Sequence, residues 1–128
     1  MKTVFLDANV LWSAARKPKQ IPWRIITAGG ADFLTSHYCV VEARRNLEPE
    51  NLAGLETLLQ GVRRVPDAFA PPPPGIALPV KDFPVLASAG LARADLLVTG
   101  DNHFARYFGQ KIEGVKIILP RQLAAELK

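Results

Sequence analysis

The sequence has few of the residues that build disulfide-linked or membrane-spanning proteins. Cys39 is the single cysteine, which excludes an intrachain disulfide framework and a zinc site built from cysteines, and which suits a reducing compartment. No apolar run is long enough to span a bilayer. Asp7 and Asn9 interrupt the N-terminal apolar stretch, so the pattern of a signal peptide is missing. We therefore expect a soluble, cytoplasmic protein.

The composition predicts one folded domain. Hydrophobic residues make up 48% of the sequence, which is enough to bury a sizeable core and argues against disorder. The length of 128 residues fits a single domain covering residues 1–128. The formal net charge is +4, and a mildly basic surface is compatible with a polyanionic partner such as RNA or DNA.

Short apolar segments alternate with helical patterns along the chain. Residues 3–6 are almost continuously apolar and too few for an amphipathic helix, so they predict a buried parallel strand. Further strands are predicted at residues 32–35, 63–65, 96–99 and 115–119. Helices are predicted at residues 10–15, 21–28, 37–47 (capped by Ser36), 52–62, 81–93, 102–108 and 120–127. Such alternation is typical of an α/β protein with a central parallel sheet.

A run of four prolines, residues 71–74, interrupts this pattern. It cannot form a helix or a central strand, and it favours an extended polyproline II segment. We interpret it as a stiff surface connector rather than a domain boundary, because the strand–helix alternation continues after it.

Four carboxylates are predicted to meet at one edge of the sheet. Asp7 and Asp101 directly follow predicted strands, and all strands of a parallel sheet end at the same edge. Helices that follow strands begin at that edge, which places Asp82 and Glu42 there too. Each acid also has a local alternative: helix capping for Asp7 and Asp82, a turn for Asp101, and for Glu42 a pair with Arg45 or Asn46.

Converging carboxylates repel one another unless a cation compensates their charge. Oxygen ligands favour Mg²⁺ or Mn²⁺ over zinc, and such ions support hydrolysis of phosphodiester bonds. The set of four acids therefore predicts a metal-dependent phosphodiesterase. Basic residues near the same edge are candidates for a rim that holds the substrate backbone: Arg16, Lys17, Lys19, Arg44, Arg45, Lys81 and Arg106.

The other acidic and aromatic residues are assigned to different roles. Asp95 and Asp32 precede strands, so they lie at the opposite edge, and we interpret Asp95 as a turn or cap residue. Trp12 and Trp23 lie in apolar helical contexts and are predicted in the core or in a protein interface. The remaining glutamates are predicted to be solvated surface residues: Glu48, Glu50, Glu113 and Glu126.

With these acids in place, the chain resembles the PIN-domain nucleases, especially the VapC-like toxins of toxin–antitoxin pairs. The matching segments occur in order across nearly the whole chain. They are residues 5–11 (FLDANVL), 41–42 (VE), 81–87 (KDFPVLA), 94–104 (ADLLVTGDNHF) and 117–121 (IILPR). Any one segment alone is a weak signal, whereas the combination is specific.

The resemblance implies a three-layer αβα fold, a Mg²⁺ or Mn²⁺ site, activity as an endoribonuclease on RNA, an antitoxin partner and often a homodimer. It also implies that Asn9 and Thr99 support the site through hydrogen bonds. Many family members have a further acid where this chain has His103, which puts a fully occupied second metal site in doubt. His103 could still support the site by binding Mn²⁺ or a phosphate, and the alternative is a surface loop residue. The implied metal-site and catalytic residues are Asp7, Glu42, Asp82 and Asp101.

Two other functions compete with the nuclease. The first is a non-catalytic PIN-like module that binds RNA or protein, although a binding scaffold has no reason to keep four mutually repelling acids. The second is a receiver-like phosphotransfer domain, whose fold usually has adjacent acids after its first strand and a lysine after its last. Here Asp7 stands alone and Pro120-Arg121 follows the last strand.

Overall fold

The computed structural model describes residues 1–128 and shows a six-stranded sheet flanked by helices. The strand order is β3-β2-β1-β4-β6-β5, and every neighbouring pair is parallel except β5 with β6. The strands are β1 Thr3–Leu6, β2 Asp32–Ser36, β3 Arg63–Val65, β4 Leu96–Val98, β5 Lys111–Ile112 and β6 Val115–Ile118. This confirms the predicted α/β class with a mainly parallel central sheet.

Helices cover the sheet. They are α1 Ala8–Arg16, α2 Ile21–Ala28, α3 His37–Asn46, α4 Leu52–Leu59, α5 Phe83–Leu91 and α6 Leu123–Glu126. Helix α1 packs against α2, α3 and α4. None of the helices is both long and apolar enough to cross a membrane.

The direction of the chain through the sheet reverses between β1 and β4. The chain moves outward from β1 to β2 and β3, returns to β4 on the other side of β1, and then continues outward to β6. Strands β1 and β4 are paired in register over Val4–Leu96, Phe5–Leu97 and Leu6–Val98. In an open α/β sheet, ligands bind in the crevice beyond the carboxyl ends of the strands at such a reversal. The fold therefore places a crevice directly after Leu6 and Val98.

The core is built around the two central strands. Phe5, Leu6, Leu97 and Val98 are fully buried, which explains why these strands are continuously apolar rather than alternating. Each large apolar side chain that is removed from water contributes about 1.5–3 kcal/mol to folding. This burial fixes the carboxyl ends of β1 and β4 rigidly.

Several predicted elements differ in detail from the structure. The segment Asn102–Tyr107 is a 3₁₀ helix, and further 3₁₀ turns occupy Pro49–Asn51, Val80–Asp82 and Pro120–Gln122. Strand β5 was not predicted. It pairs with β6 through the two-residue turn Glu113-Gly114, where both φ angles are positive, 52° and 85°. This geometry is that of a type I′ hairpin turn, in which Asn or Asp usually precedes the glycine.

The proline-rich connector is tied to the fold at both ends. Residues 66–73 contain neither helix nor strand, as predicted. Near the start of the connector, Ala68 N donates to the buried Ser88 Oγ over 2.9 Å. Towards its end, Ala77 N donates to Tyr107 Oη over 2.7 Å. The connector thus runs from the end of β3 to the start of α5 without interrupting the sheet.

Two helical glycines should respond in opposite ways to alanine. A Cβ at Gly54 in α4 would lie 2.8 Å from the carbonyl oxygen of Ala15 in α1, so the two helices must separate. We expect Gly54→Ala to lower the free energy of unfolding by about 1–2 kcal/mol. A Cβ at Gly90 in α5 would meet open space, and Gly90→Ala should raise the free energy of unfolding by about 0.5–1 kcal/mol. Urea unfolding of both variants measures these changes. A change of the same sign in both variants would contradict the close approach of α1 and α4.

Candidate metal centre

Asp7 is held at the end of β1 by a dense set of hydrogen bonds. Its side chain is almost completely buried, at 4% exposure. Oδ1 accepts from Ala8 N at 2.7 Å, while Oδ2 accepts from Thr99 Oγ1 at 2.8 Å and from Asn9 Nδ2 at 3.1 Å. The carboxylate therefore has a fixed orientation and also caps the start of α1.

Asn9 and Thr99 connect the loops that follow β1 and β4. Asn9 Oδ1 accepts from Gly100 N at 2.8 Å, and Thr99 Oγ1 accepts from Asp101 N at 3.1 Å. The two side chains also contact each other, with Asn9 Nδ2 3.3 Å from Thr99 Oγ1. This network couples the position of Asp101 to that of Asp7 across the strand pair.

Asp82 combines the two roles considered for it only in part. It occupies the N-cap position of α5, but its side chain makes no capping hydrogen bond to the helix. Its Oδ2 lies 2.8 Å from Nδ1 of His103 instead. The buried Asp82 side chain lines the same cleft as Asp7 and Asp101.

His103 brings Asp82 and Asp101 together. Its Nδ1 lies 2.8 Å from Asp82 Oδ2 and 3.2 Å from Asp101 Oδ1. The backbone N of His103 also donates to Asp101 Oδ1 at 2.9 Å. One ligand atom from each of the three residues lies within 4.8 Å of the other two, which is a spacing that could hold a metal ion.

The predicted acids line one cleft, which we call the acidic cleft and define by Asp7, Glu42, Asp82 and Asp101. Its volume is about 420 Å³. Asp7 and Glu42 lie outside the tight group formed by Asp82, Asp101 and His103. Glu42 reaches the cleft from α3, and its Oε1 accepts from Arg45 Nη1 at 3.1 Å, which is the local pairing considered from sequence.

The carboxylates of the cleft disturb one another's protonation. Burial raises the pKa of Asp7 to about 6, and the charges of Asp82 and Asp101 add to that effect, while the hydrogen bonds from Thr99 and Ala8 oppose it. Burial, followed by the charge of Asp101, also raises the pKa of Asp82, and His103 opposes this shift. The cleft thus has an excess of negative charge that a bound cation would relieve.

The residues present fit a divalent cation. The donor set consists of carboxylate oxygens and one imidazole nitrogen, which the fold gathers beyond the carboxyl ends of β1 and β4. Carboxylates are the ligands that Mg²⁺ and Mn²⁺ prefer. Asp82, Asp101 and His103 form the group closest to a ligand spacing, and Asp7 and Glu42 add charge at the same cleft.

Sequence patterns did not reveal a buried neighbour of Asp7. Cys39 does not line the cleft; it is fully buried, and its Sγ lies 3.8 Å from Asp7 Oδ1. Burial and the nearby charge of Asp7 raise the pKa of the Cys39 thiol to about 12, so the thiol stays protonated. Cys39 lies three residues before Glu42 on α3, and positions i and i+3 share a helix face. That spacing is the sequence signal that would have placed Cys39 near the site.

Trp12 also lines the acidic cleft, together with Tyr38, Asn46 and Lys81. Its indole Nε1 donates to the backbone O of Asn46 at 3.0 Å, and the guanidinium of Arg16 lies 4.3 Å from the ring centroid. Trp12 is half-buried rather than a core residue, and it forms a wall of the cleft. Trp23 is half-buried and packs against the core.

The acids predicted away from the site form local pairs. Asp95 lies in the bend before β4, as predicted for a turn residue, and its Oδ2 accepts from Thr3 N at 2.8 Å, which ties two neighbouring strands. Asp32 pairs with Arg63 at 2.8 Å. Glu126 is not a solvated surface residue as predicted, because it accepts from Lys116 at 2.6 Å and is only 21% exposed. This contact holds the pKa of Glu126 below its usual range.

The basic residues predicted to form a rim have different surroundings in the structure. Lys81 lines the acidic cleft itself. Arg45 pairs with Glu42, and Arg44 pairs with Glu56. The other members besides Arg16 are exposed at the surface: Lys17, Lys19 and Arg106.

Two solved structures are similar to this chain. A chain in the crystal structure of VapBC2 from Rickettsia felis, bound to a DNA fragment from their promoter, superposes with a TM-score of 0.65 at 14% identity, covering 91% of this chain and 98% of that one. The chain has the fold of the PIN-domain proteins. PAE2754 from Pyrobaculum aerophilum shares this PIN fold. It superposes with a TM-score of 0.63 at 19% identity, and the match covers 98% of this chain and 89% of that one. Comparison with protein-family models and with curated proteins gives no match.

The likeness confirms the three-layer arrangement that the motifs implied. Both neighbours are matched over about nine-tenths or more of this chain. At these identities the comparison establishes the PIN fold, and the chemistry has to be argued from the acidic cleft itself.

Proposed function

We propose that this PIN-fold chain is a metal-dependent endoribonuclease that hydrolyses RNA phosphodiester bonds as the toxin of a type II toxin–antitoxin pair. The observation that carries the proposal is the convergence of Asp7, Glu42, Asp82 and Asp101 on one cleft at the reversal of the sheet. A fold with no need for this cleft has no reason to bury Asp7 and Asp82 beside further negative charge.

The four carboxylates would hold Mg²⁺ or Mn²⁺, which when bound supplies an activated water and stabilises charge on the scissile phosphate. The hydrogen bonds from Thr99 and Asn9 keep the Asp7 carboxylate oriented for this role. A carboxylate of the cleft would take the proton of the attacking water.

Positive charge around the cleft suits a polyanionic substrate. Lys81 lies in the cleft wall, and Arg16 covers the indole of Trp12 beside it. The net charge of +4 adds a general attraction for the phosphate backbone. These groups would position RNA over the carboxylates without reading its sequence.

The proposed partner is an antitoxin protein that covers the cleft until it is removed. The VapBC2 neighbour from Rickettsia felis is described as a complex bound to DNA of its own promoter, and a similar pairing is proposed for this chain. The surface offers exposed apolar side chains for such an interface or for a homodimer, among them Phe69, Val80 and Leu91. The proposed place of action is the cytoplasm.

Purified protein and a mixed RNA pool test the proposal directly. We expect cleavage with Mn²⁺ or Mg²⁺ and none with a chelator, and internal fragments rather than mononucleotides would identify an endonuclease. Thermal stability measured in parallel should rise with the metal, because the ion binds the folded state. Neither cleavage nor stabilisation, with RNA binding retained, would refute the enzyme and favour the non-catalytic module.

A further inference from the structure

We infer that His103 is a metal ligand of the acidic cleft through Nδ1, in place of a carboxylate, and that it makes the site select a transition-metal ion such as Mn²⁺ over Mg²⁺. This inference rests on the proposed function and concerns the ion used by the same site. His103 occupies a position where the resemblance to PIN nucleases predicts an acid.

The distances around His103 are those expected of ligands to one shared ion. Neighbouring ligand atoms on an octahedral ion with bonds of about 2.1 Å lie about 3 Å apart. Nδ1 of His103 lies 2.8 Å from Asp82 Oδ2 and 3.2 Å from Asp101 Oδ1. Asp82 precedes α5, whereas Asp101 and His103 are two residues apart after β4, and one ligand atom from each of the three lies within 4.8 Å of the other two.

A direct hydrogen bond accounts for only part of this arrangement. An imidazole Nδ1 carries at most one proton, in the plane of the ring, so it can be directed at only one of the two carboxylates. A shared ion would instead be bound by His103, Asp82 and Asp101 together. The backbone N of His103 bonds to Asp101 Oδ1 at 2.9 Å, which holds the imidazole close to that carboxylate.

The chemistry of the ligand set determines which ion is favoured. Mg²⁺ prefers oxygen ligands and retains its waters, whereas imidazole nitrogen is a common ligand of transition-metal ions. Exchanging a carboxylate for an imidazole ligand also removes one negative charge from the site. Binding of a hard ion such as Mg²⁺ depends more on ligand charge than binding of a transition-metal ion does. The site should therefore bind Mn²⁺ more tightly relative to Mg²⁺ than the same site with an acid at position 103.

Pulsed electron paramagnetic resonance of bound Mn²⁺ tests the ligand itself, independently of activity. We expect modulation from a directly bound ¹⁴N nucleus in the wild-type protein. His103→Asp should bind Mn²⁺ without that modulation. His37→Asn is the matched control, because His37 is the other histidine of the chain, is exposed and is not part of the group that His103 forms with Asp82 and Asp101. It should keep the wild-type signal.

Isothermal titration with Mn²⁺ and with Mg²⁺ measures the selectivity. The ratio of the two affinities should fall by about tenfold from wild type to His103→Asp, with no change in His37→Asn. Far-ultraviolet circular dichroism would show whether each variant is folded, and His103→Gln provides a second, neutral replacement if the aspartate does not fold.

The outcomes separate this inference from the proposed function. Mn²⁺ bound without ¹⁴N modulation, or an unchanged affinity ratio, would overturn the role of His103 and leave the metal-dependent nuclease intact. Absence of any Mn²⁺ binding together with absence of cleavage would overturn both. Bound Mn²⁺ with the histidine signal but no RNA cleavage would support the ligand role and refute the ribonuclease.

Discussion

Replacing Asp7 by asparagine is expected to lower the rate of metal-dependent RNA cleavage by about 100- to 1000-fold, on the scale of losing one group that stabilises transition-state charge. The amide has one acceptor oxygen, whereas the Asp7 carboxylate accepts from Ala8 N at one oxygen and from Asn9 and Thr99 at the other. The amide nitrogen of the variant would therefore face a donor, and the cleft would lose one negative charge. Cleavage of a defined RNA, followed over time at saturating Mn²⁺, measures the loss.

Asp95→Asn is the matched control for this experiment. It removes the same charge from an aspartate beside β4, but Asp95 lies at the opposite edge of the sheet, where it accepts from Thr3 N. This variant should cleave RNA at the wild-type rate. Equal activity of Asp7→Asn and wild type would remove Asp7 from the proposed machinery, while a loss in both variants would point to a general effect of charge or folding.

The metal-free protein should become less stable as the pH rises from about 4 to about 7. The pKa of Asp7 is raised to about 6 in the folded protein, compared with an ordinary value near 4 when unfolded. Between pH 4 and pH 6 the folded state holds a proton on Asp7 that the unfolded state has lost. The stabilisation from this proton is complete below the unfolded pKa and is lost as the pH rises through the folded pKa. A shift of this size corresponds to about 3 kcal/mol, measurable by urea unfolding at fixed ionic strength with chelator present.

Two comparisons identify Asp7 as the source of that pH dependence. Asp7→Asn has no carboxyl to titrate, so its stability should change less over the same pH range. Saturating Mn²⁺ should also flatten the wild-type profile, because a bound cation favours the ionised carboxylate. A wild-type stability that rises between pH 4 and 7 without metal would contradict the raised pKa of Asp7.

The sequence was most informative where topology alone decides position. Asp7 and Asp101 follow apolar strands, and a parallel sheet with short connections brings the ends of such strands together whatever the side-chain details are. Asp82 was placed at the correct edge by the same reasoning. Whether its side chain also caps the helix depends on local geometry: Asp82 occupies the N-cap position of α5 but makes no capping hydrogen bond.

Features that depend on local geometry could not be predicted from the pattern. Strand β5 has two residues, too few for any periodicity, and its turn uses Glu113 where Asn or Asp is the usual signal. The contact of His103 with Asp82 joins residues on different elements, and nothing in either local segment indicates it. Trp12 was assigned to a core or interface by composition, whereas its half-buried ring forms a wall of the cleft.

The reversal of the sheet between β1 and β4 has a consequence for synthesis of the protein. Asp7 is synthesised well before its partner loop, with Thr99 and Asp101, because β2 and β3 lie between them in the chain. A nascent chain that ends before β4 has Asp7, Glu42 and Asp82, but it lacks Asp101 and the hydrogen bonds of Thr99 to Asp7 and Asp101. The proposed nuclease would therefore arise only once β4 has been made and can pair with β1.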